Sequence, residues 1–267
     1  MHYTFKKGRV GMKKIKLNIS YIGTAYCGWQ VQPNAVSVQQ RVQDAVEKTF
    51  GNRYPLTGCS RTDSGVHARS FICTVELGDE ANNIPCERIP LVMNRYLPVD
   101  IAVMQAEEVE DDFHPRYSCL GKAYEYIFYD NPIRDPFSEG RVAHILPRLD
   151  ADAMDKAAKE IIGKQDFRCF MASGSKIEDT VRTVYDCRVS REGDRVKLYI
   201  SADGFLYNMV RIIAGTLAEV GHGKRTKKEV RAAIDSKDRK NSGQTAPPEG
   251  LYLCKVFYGK EKNNEEN

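Results

Sequence analysis

The chain has 267 residues, 42% hydrophobic and 28% charged, values that fit a globular protein with a real core and exclude wholesale disorder or a collagen-like repeat. Lys and Arg outnumber Asp and Glu by 40 to 36, and the net charge of +4 is weak support for a polyanionic partner. No apolar run approaches the ~18 residues of a membrane helix. The basic N-terminus (Lys6, Lys7, Arg9, Lys13, Lys14) is not followed by the apolar stretch of a secretory signal. A soluble, cytoplasmic protein with no membrane contact is expected. Eight scattered cysteines without a CxxC pair read as reduced thiols, several in apolar strand patterns such as Phe71-Ile72-Cys73.

The predicted elements begin with a strand in which Ile15, Leu17, Ile19 and Tyr21 alternate with polar residues. Ser37 opens a helix with the stripe Val38, Val42, Ala45 and Val46, and Gln40 completes a capping box. Short strands at 54–57 and 70–77 flank a polar loop. A helix at 85–96, with Pro85 in its first turn, and a strand at 100–109 complete a β-α-β-β-α-β order. The second half repeats that order. It has a strand at 121–129 and a helix capped by Asp150 that runs through Met154, Ala158, Ile161 and Ile162 to stop at Gly163. Strands at 181–191 and 195–202 follow, then a helix at 206–220, an extra helix capped by Thr226 with Glu229, and a last strand at 251–258.

Two βαββαβ units make an α+β protein of two ferredoxin-like halves with mainly antiparallel sheets and a cleft between them. The expected organisation is a flexible basic extension (1–12), an N-terminal domain (13–110), a C-terminal domain (111–259) and a flexible tail (260–267). The acidic stretch 107–112 is the joint.

Functional groups are densest in Gly58-Cys59-Ser60-Arg61-Thr62-Asp63-Ser64-Gly65-Val66-His67-Ala68, a loop between two predicted strands. Asp63-Ser64-Gly65 alone reads as an Asx-type turn. A guanidinium, a hydroxyl, a carboxylate and an imidazole so close together point beyond a turn. A carboxylate held near Arg61 stays ionised and can serve as nucleophile or base. Arg211, in the apolar run Met209-Val210-Arg211-Ile212-Ile213, either snorkels to the surface or is buried with a partner, and the second fits the apolar run better.

Arg61-Thr62-Asp63-Ser64-Gly65-Val66-His67-Ala68 closely resembles the RTDAGVHA signature of the TruA family of tRNA pseudouridine synthases. The resemblance runs from Tyr21 to Tyr258. It includes Tyr26-Cys27-Gly28-Trp29-Gln30 with Gln32, Ser37-Val38-Gln39, and Asp112-Phe113-His114-Pro115-Arg116-Tyr117-Ser118. It continues through Lys122-Ala123-Tyr124-Glu125-Tyr126, Phe205-Leu206-Tyr207-Asn208-Met209-Val210-Arg211, and 245–253. Ser60 and Ser64 stand where many members have Gly and Ala, and neither change removes a catalytic group.

The resemblance implies a cofactor-free isomerisation in which uridine's glycosidic bond breaks, the base turns, and a C–C bond forms at C5. Asp63 matches the family's nucleophile. Tyr124 matches the tyrosine that stacks on the base and takes the C5 proton, a task in which its surroundings must help a phenol of pKa about 10. Arg211 matches the arginine paired with the aspartate, and Leu253 an apolar wall of the pocket. Arg61 is placed to enter the space left by a flipped base. Arg116 and His114 suit phosphate contact or plain solvation, and the charged segment 224–240 suits RNA contact or a solvated face. No metal is expected, since His67 and His144 lack ligand spacing. The implied substrate is tRNA, at positions 38–40 of the anticodon stem-loop, and the implied assembly is a homodimer with a shared basic cleft. A synthase with another RNA target and a non-catalytic RNA-binding protein are the alternatives. The joint presence of Asp63, Tyr124 and Arg211 favours an enzyme.

Overall fold

Strand β1 (Lys13–Tyr21) buries Ile15, Leu17, Ile19 and Tyr21 and leaves the side chains between them part-exposed, as period-two alternation requires. The computed structural model describes residues 13–174 and 177–259, so the extensions expected at 1–12 and 260–267 lie outside the described residues. Helix α1 (Val38–Phe50) starts where Ser37 Oγ accepts the Gln40 N–H at 3.2 Å, the Ser37 half of the expected box. It stops at Gly51, whose φ of 90° closes the last turn. Strands β2 (Leu56–Gly58) and β3 (His67–Leu77) follow, then α2 (Ile89–Met93) and β4 (Ile101–Glu108). Helix α2 is shorter than expected: Pro90 has no N–H for the Cys86 carbonyl, so a 3-10 turn at Cys86–Arg88 precedes it, and hydrogen-bonded turns at 94–96 follow it.

The second half comprises β5 (Cys119–Tyr129), β6 (Ala143–His144), α3 (Ala151–Ala158), β7 (Gly163–Asp166), β8 (Val181–Glu192), β9 (Arg195–Ala202), α4 (Met209–Gly221), α5 (Lys227–Ser236) and β10 (Leu251–Tyr258). Asp150 caps α3 through the Ala153 N–H at 2.9 Å, and Thr226 with Glu229 forms both halves of a capping box on α5. Helix α4 is apolar on nearly every side and correspondingly buried. It begins three residues later than expected because Asn208 takes a left-handed φ of 58°.

The strands form one ten-stranded, mostly antiparallel sheet in the order β4-β1-β3-β10-β5-β9-β8-β7, with β2 on β3 and β6 on β5. Each half has its last strand beside its first, β4-β1-β3-β2 and β10-β5-β9-β8, the split βαβ arrangement. The α+β class and both ferredoxin-like halves are present, and the two half-sheets meet edge to edge. Strand β3 is long enough for this. β2 pairs with Cys73, Thr74 and Val75, while His67 and Ala68 at the other end pair in parallel with Tyr252 and Leu253 of β10. One continuous core spans both halves, from Phe50 and Phe71 to Phe128 and Leu217. Residues 59–66, running from β2 back into β3, are thereby delivered to the seam.

Away from the seam, Asp130 is fully enclosed and receives a two-pronged bond from Arg191 at 3.0 and 2.7 Å, plus the Leu149 N–H at 2.9 Å. Asp130→Asn breaks the pair and strands the guanidinium. It is expected to cost about 3 kcal/mol, read as a lower urea midpoint at unchanged slope. A midpoint within error of the parent would show that the pair adds nothing net.

Candidate active site

The 59–66 loop is built mainly by backbone. Val66 N–H donates to Asp63 C=O at 3.2 Å, and Gly65 supplies the φ of 79° that the turn needs. The Asp63 carboxylate is thus not consumed by an Asx turn and remains available. A second loop braces the first: Trp29 N–H donates to Thr62 C=O at 3.3 Å, and Tyr26 C=O accepts both Gly65 N–H and Ser64 Oγ–H at 3.2 Å. The approach is so close that a Cβ on Gly28, itself at φ 99°, would strike the Thr62 carbonyl. Beneath the loop, Thr62 Oγ1 shares a 2.8 Å hydrogen bond with the buried Tyr21 hydroxyl.

His67 is fully buried and both ring nitrogens are occupied. Nδ1 accepts the Gly23 N–H at 2.9 Å, so the proton sits on Nε2 and is donated to Glu249 C=O at 3.0 Å. The ring stacks on Tyr252 at 4.5 Å, and burial holds the imidazole pKa below its ordinary value. His67 is a clamp across the seam. His144 Nε2 lies 2.8 Å from the Asn131 carbonyl.

A cleft of about 700 Å³ opens over the seam, lined by Asp63, Arg61 and Ser60 from the first half and by Tyr124, Phe205 and Arg211 from the second. Arg211 Nη1 lies 3.5 Å from Asp63 Oδ2 and donates to Asn208 Oδ1 at 3.0 Å, while Nε donates to Ala246 C=O at 2.8 Å. Asn208 therefore directs its side chain to Arg211 instead of capping α4. Burial raises the Asp63 pKa above the ordinary carboxylate value, and the nearby Arg211 only partly offsets it. Of the two cations considered from sequence, Arg211, the expected partner, lies beside Asp63, while Arg61 is exposed on the cleft and makes no ion pair with the carboxylate among the described residues.

Tyr124 is buried, with its ring edge-on to Phe205 at 5.0 Å and 84°. Desolvation drives its phenol well above the ordinary value, a smaller pull from the Ser60 hydroxyl notwithstanding. Burial thus works against ionisation of the phenol, where the expectation asked the surroundings to help it. Leu253 is also corrected. It is fully buried opposite Tyr124 in the β10–β5 ladder, and Leu251 lines the cleft in its place. Arg116 does reach the cleft and is exposed there. His114 instead shapes that loop, its Nδ1 accepting the N–H groups of Arg116 and Tyr117 at 3.1 and 3.2 Å.

In the segment 224–240, Lys227 pairs with Glu160, Arg231 with Asp235, Lys237 with Asp166 and Arg225 with Glu219, which favours the solvated-face reading. Lys122, Phe205, Tyr207 and Asn208 were given no role from sequence, although each lies in a quoted motif. On β5, Lys122 is two residues from Tyr124 and so shares its face, a spacing that flags it.

Arg211→Ala removes the donor from Asn208, from Ala246 and from Asp63 together. The expected cost is about 1–3 kcal/mol, less than for an enclosed pair because Asp63 is 34% exposed. Arg211→Lys keeps the charge but not the fork, and should recover only part of the loss in urea unfolding. An unchanged midpoint for Arg211→Ala would refute this account of the residue.

A family model described as tRNA pseudouridine synthase matches residues 18–118 and 157–259. The tRNA pseudouridine synthase A 2 of Clostridium perfringens (strain 13 / Type A) is 42% identical over 247 residues, spanning 92% of this chain and 100% of its own. The tRNA pseudouridine synthase A of Thermoanaerobacter sp. (strain X514) is 45% identical over 247 residues with the same coverage. That of Acetivibrio thermocellus is 44% identical over 252 residues, covering 92% of this chain and all of its own. A Cbf5-Nop10-Gar1 complex of known crystal structure aligns with 89% of this chain and 57% of its own at 12% identity and a TM-score of 0.35, too slight a likeness to carry argument. On the extent of the family-model and sequence matches, the chain belongs to the tRNA pseudouridine synthase family.

Proposed function

We propose that this protein isomerises uridine to pseudouridine in tRNA, at positions 38–40 of the anticodon stem-loop, with Asp63 as nucleophile. The observation that carries the reading is the meeting of Asp63, Tyr124 and Arg211 in one cleft, brought from separate halves of the chain. The halves, 13–110 and 111–259, act as two domains: the first presents the nucleophile and the second completes its surroundings.

A base within a stem has to be flipped out, at a few kcal/mol. Arg61, exposed at the cleft, enters the vacated space, and Arg116 meets phosphate at the rim. The flipped uracil stacks on Tyr124, which Phe205 holds edge-on. Asp63 attacks as its carboxylate, and the C1′–N1 bond breaks with its electron pair going to the uracil. The base turns, C5 bonds to C1′, and the bond from Asp63 to the substrate breaks to return the free carboxylate. The C5 proton leaves to the Tyr124 oxygen while the phenol, which begins protonated, gives its own proton through the Ser60 hydroxyl to solvent, and N1 of the turned base takes a proton from solvent. Leu253, paired with Tyr124 on the neighbouring strand, supports this wall from beside it. Arg211 favours the ionised Asp63, so turnover rises with pH through the Asp63 titration. In Arg211→Ala that rise moves to higher pH.

Tritium release from tRNA labelled at uridine C5 is the direct test. Asp63→Asn should lose roughly 10⁴-fold or more in turnover while tRNA binding survives. Tyr124→Phe keeps the stacking face, so affinity should hold while release slows. Near-normal release from Asp63→Asn would sink the assignment, and mapping the product assigns the positions or names another RNA target.

The reading extends to a homodimer with a basic cleft shared between subunits, in the cytoplasm with its substrate. A compact fold of 267 residues has a radius of gyration of roughly 18 Å, too small to support both arms of a tRNA. A two-fold dimer would extend the surface. Light scattering at micromolar concentration should then give twice the chain mass of 30.2 kDa. A fully active monomer would rule out the shared cleft.

A further inference from the structure

Asp63 borders two cavities. Besides the cleft over Tyr124, a second lobe of about 710 Å³ lies on the other side of the same ridge, toward Gln30, Gln32 and Cys27. Both share Arg61, Thr62, Asp63, Tyr207 and Arg211, so the nucleophile and its arginine form the divide. Each volume is ample for one nucleotide, by the usual range for small-molecule sites.

The two linings differ in chemistry. The inner lobe has one apolar wall, Val66, Phe205, Leu206, Met209 and Leu251, which cannot read the polar edge of a base, facing polar groups that include Ser60, Lys122, Arg116 and Asn208. The outer lobe presents two glutamine amides, the Tyr207 phenol ring and two guanidinium groups, with Asp63 as its single carboxylate. Gln32 Nε2 donates to Cys27 C=O at 3.2 Å, which fixes the side chain and leaves its Oε1 aimed elsewhere. Tyr207 is 48% exposed, an aromatic face that a stacked base would cover.

This lobe is built in advance. The loop that carries Gln30 is held by Cys27 N–H to Val36 C=O at 2.9 Å and by Gln39 N–H to Trp29 C=O at 2.9 Å. The Val31 N–H also reaches Gln39 Oε1, at 3.2 Å. Amides carried on a braced loop beside an aromatic face and cations are complementary to a nucleotide, whose base is read at its edge and whose phosphate is neutralised. The lobe begins at Asp63 itself, so chain connectivity selects its occupant. With one nucleotide in the inner lobe, only a covalently linked neighbour is near enough to fill the outer one.

We propose that the outer lobe binds the base of the nucleotide adjacent to the reacting uridine, stacked on Tyr207 and read at its edge by Gln30 and Gln32. This rests on the isomerase reading for the inner lobe and adds a second nucleotide site to it. It makes Gln30 a positioning residue for the nucleotide next to the target.

The test is a cycle of substrate and protein changes. Stem-loop RNAs are made intact, or abasic at the nucleotide just 5′ or just 3′ of the target uridine. An abasic site keeps the phosphate and deletes the base. Single-turnover tritium release by the wild type should fall about tenfold or more with one of the two abasic RNAs. Tyr207→Ala should lose as much on the intact RNA and nothing further on that abasic RNA, while Tyr207→Phe retains wild-type behaviour. Gln30→Ala should lose part of that rate on the intact RNA and nothing further on that abasic RNA.

The proposal is overturned if neither abasic RNA costs more than about twofold, or if the Tyr207→Ala and abasic losses simply multiply. Filter binding of the same RNAs to the same proteins runs the cycle again without turnover. A wild type that releases no tritium from intact tRNA would remove the isomerase reading, and the binding arm would still decide the outer lobe.

Discussion

The parallel contact of β3 with β10 is the constraint on which the site depends. Asp63 comes from the first half of the chain, and Tyr124 and Arg211 from the second, so no single half holds the whole cluster. The ladder at this seam is only the pairs Tyr252–His67 and Leu253–Ala68, worth little by themselves at about 1 kcal/mol per hydrogen bond. Side chains supply the rest. His67 joins Gly23 to Glu249 across the seam, and its ring stacks on Tyr252. A buried neutral imidazole with both nitrogens bonded fits here and a charged one does not, since protonation of Nδ1 would break the Gly23 bond. The loop that carries Asp63 begins its turn four residues before this clamp, so the position of the carboxylate follows from it.

The electrostatics of the cleft are a compromise between burial and charge. Desolvation works against an ionised Asp63, and Arg211 offsets part of that cost from 3.5 Å. A tighter, enclosed pair would stabilise the carboxylate more and make it a poorer nucleophile. Arg211 is itself restrained by Asn208 and Ala246, so it is already in position when the carboxylate gives up charge to substrate. The left-handed backbone of Asn208, roughly 1 kcal/mol of strain, is offset by that bond to Arg211.

Much of this was legible in the sequence, and the gaps have physical causes. Strands β9 and β10 were expected at their observed limits, because alternating burial and tight turns define strand ends well. The caps at Asp150 and Thr226 were readable for a similar reason, since each satisfies a local donor. Pro90 shortened α2 through a bond it cannot make. The merging of two half-sheets into one left no local trace, as the pairing of His67 with Tyr252 joins residues far apart in the chain. Residue types and order placed Asp63, Tyr124 and Arg211 together. They could not report environment: burial works against ionisation of both the Asp63 carboxylate and the Tyr124 phenol, and depth is not written in the order of residues. Leu251 and Leu253 point to one face of β10, and only depth in the fold decides which of them lines the cleft.

The division of labour between the lobes follows from what the proposed reaction must do to its base. A uracil that detaches from the sugar and returns through C5 has to turn within its pocket. Strong hydrogen bonds to its edges would hold it in the starting orientation and oppose the rotation. Stacking on Tyr124 and contact with apolar walls hold the ring plane while tolerating motion within it, because a π-face has no preferred in-plane direction of comparable strength. Recognition by hydrogen bond is better placed on a nucleotide that does not turn. The amides of Gln30 and Gln32 sit across the Asp63 ridge, where such a neighbour would lie. Stacking and edge contacts there would help offset the few kcal/mol of base flipping without restraining the reacting ring.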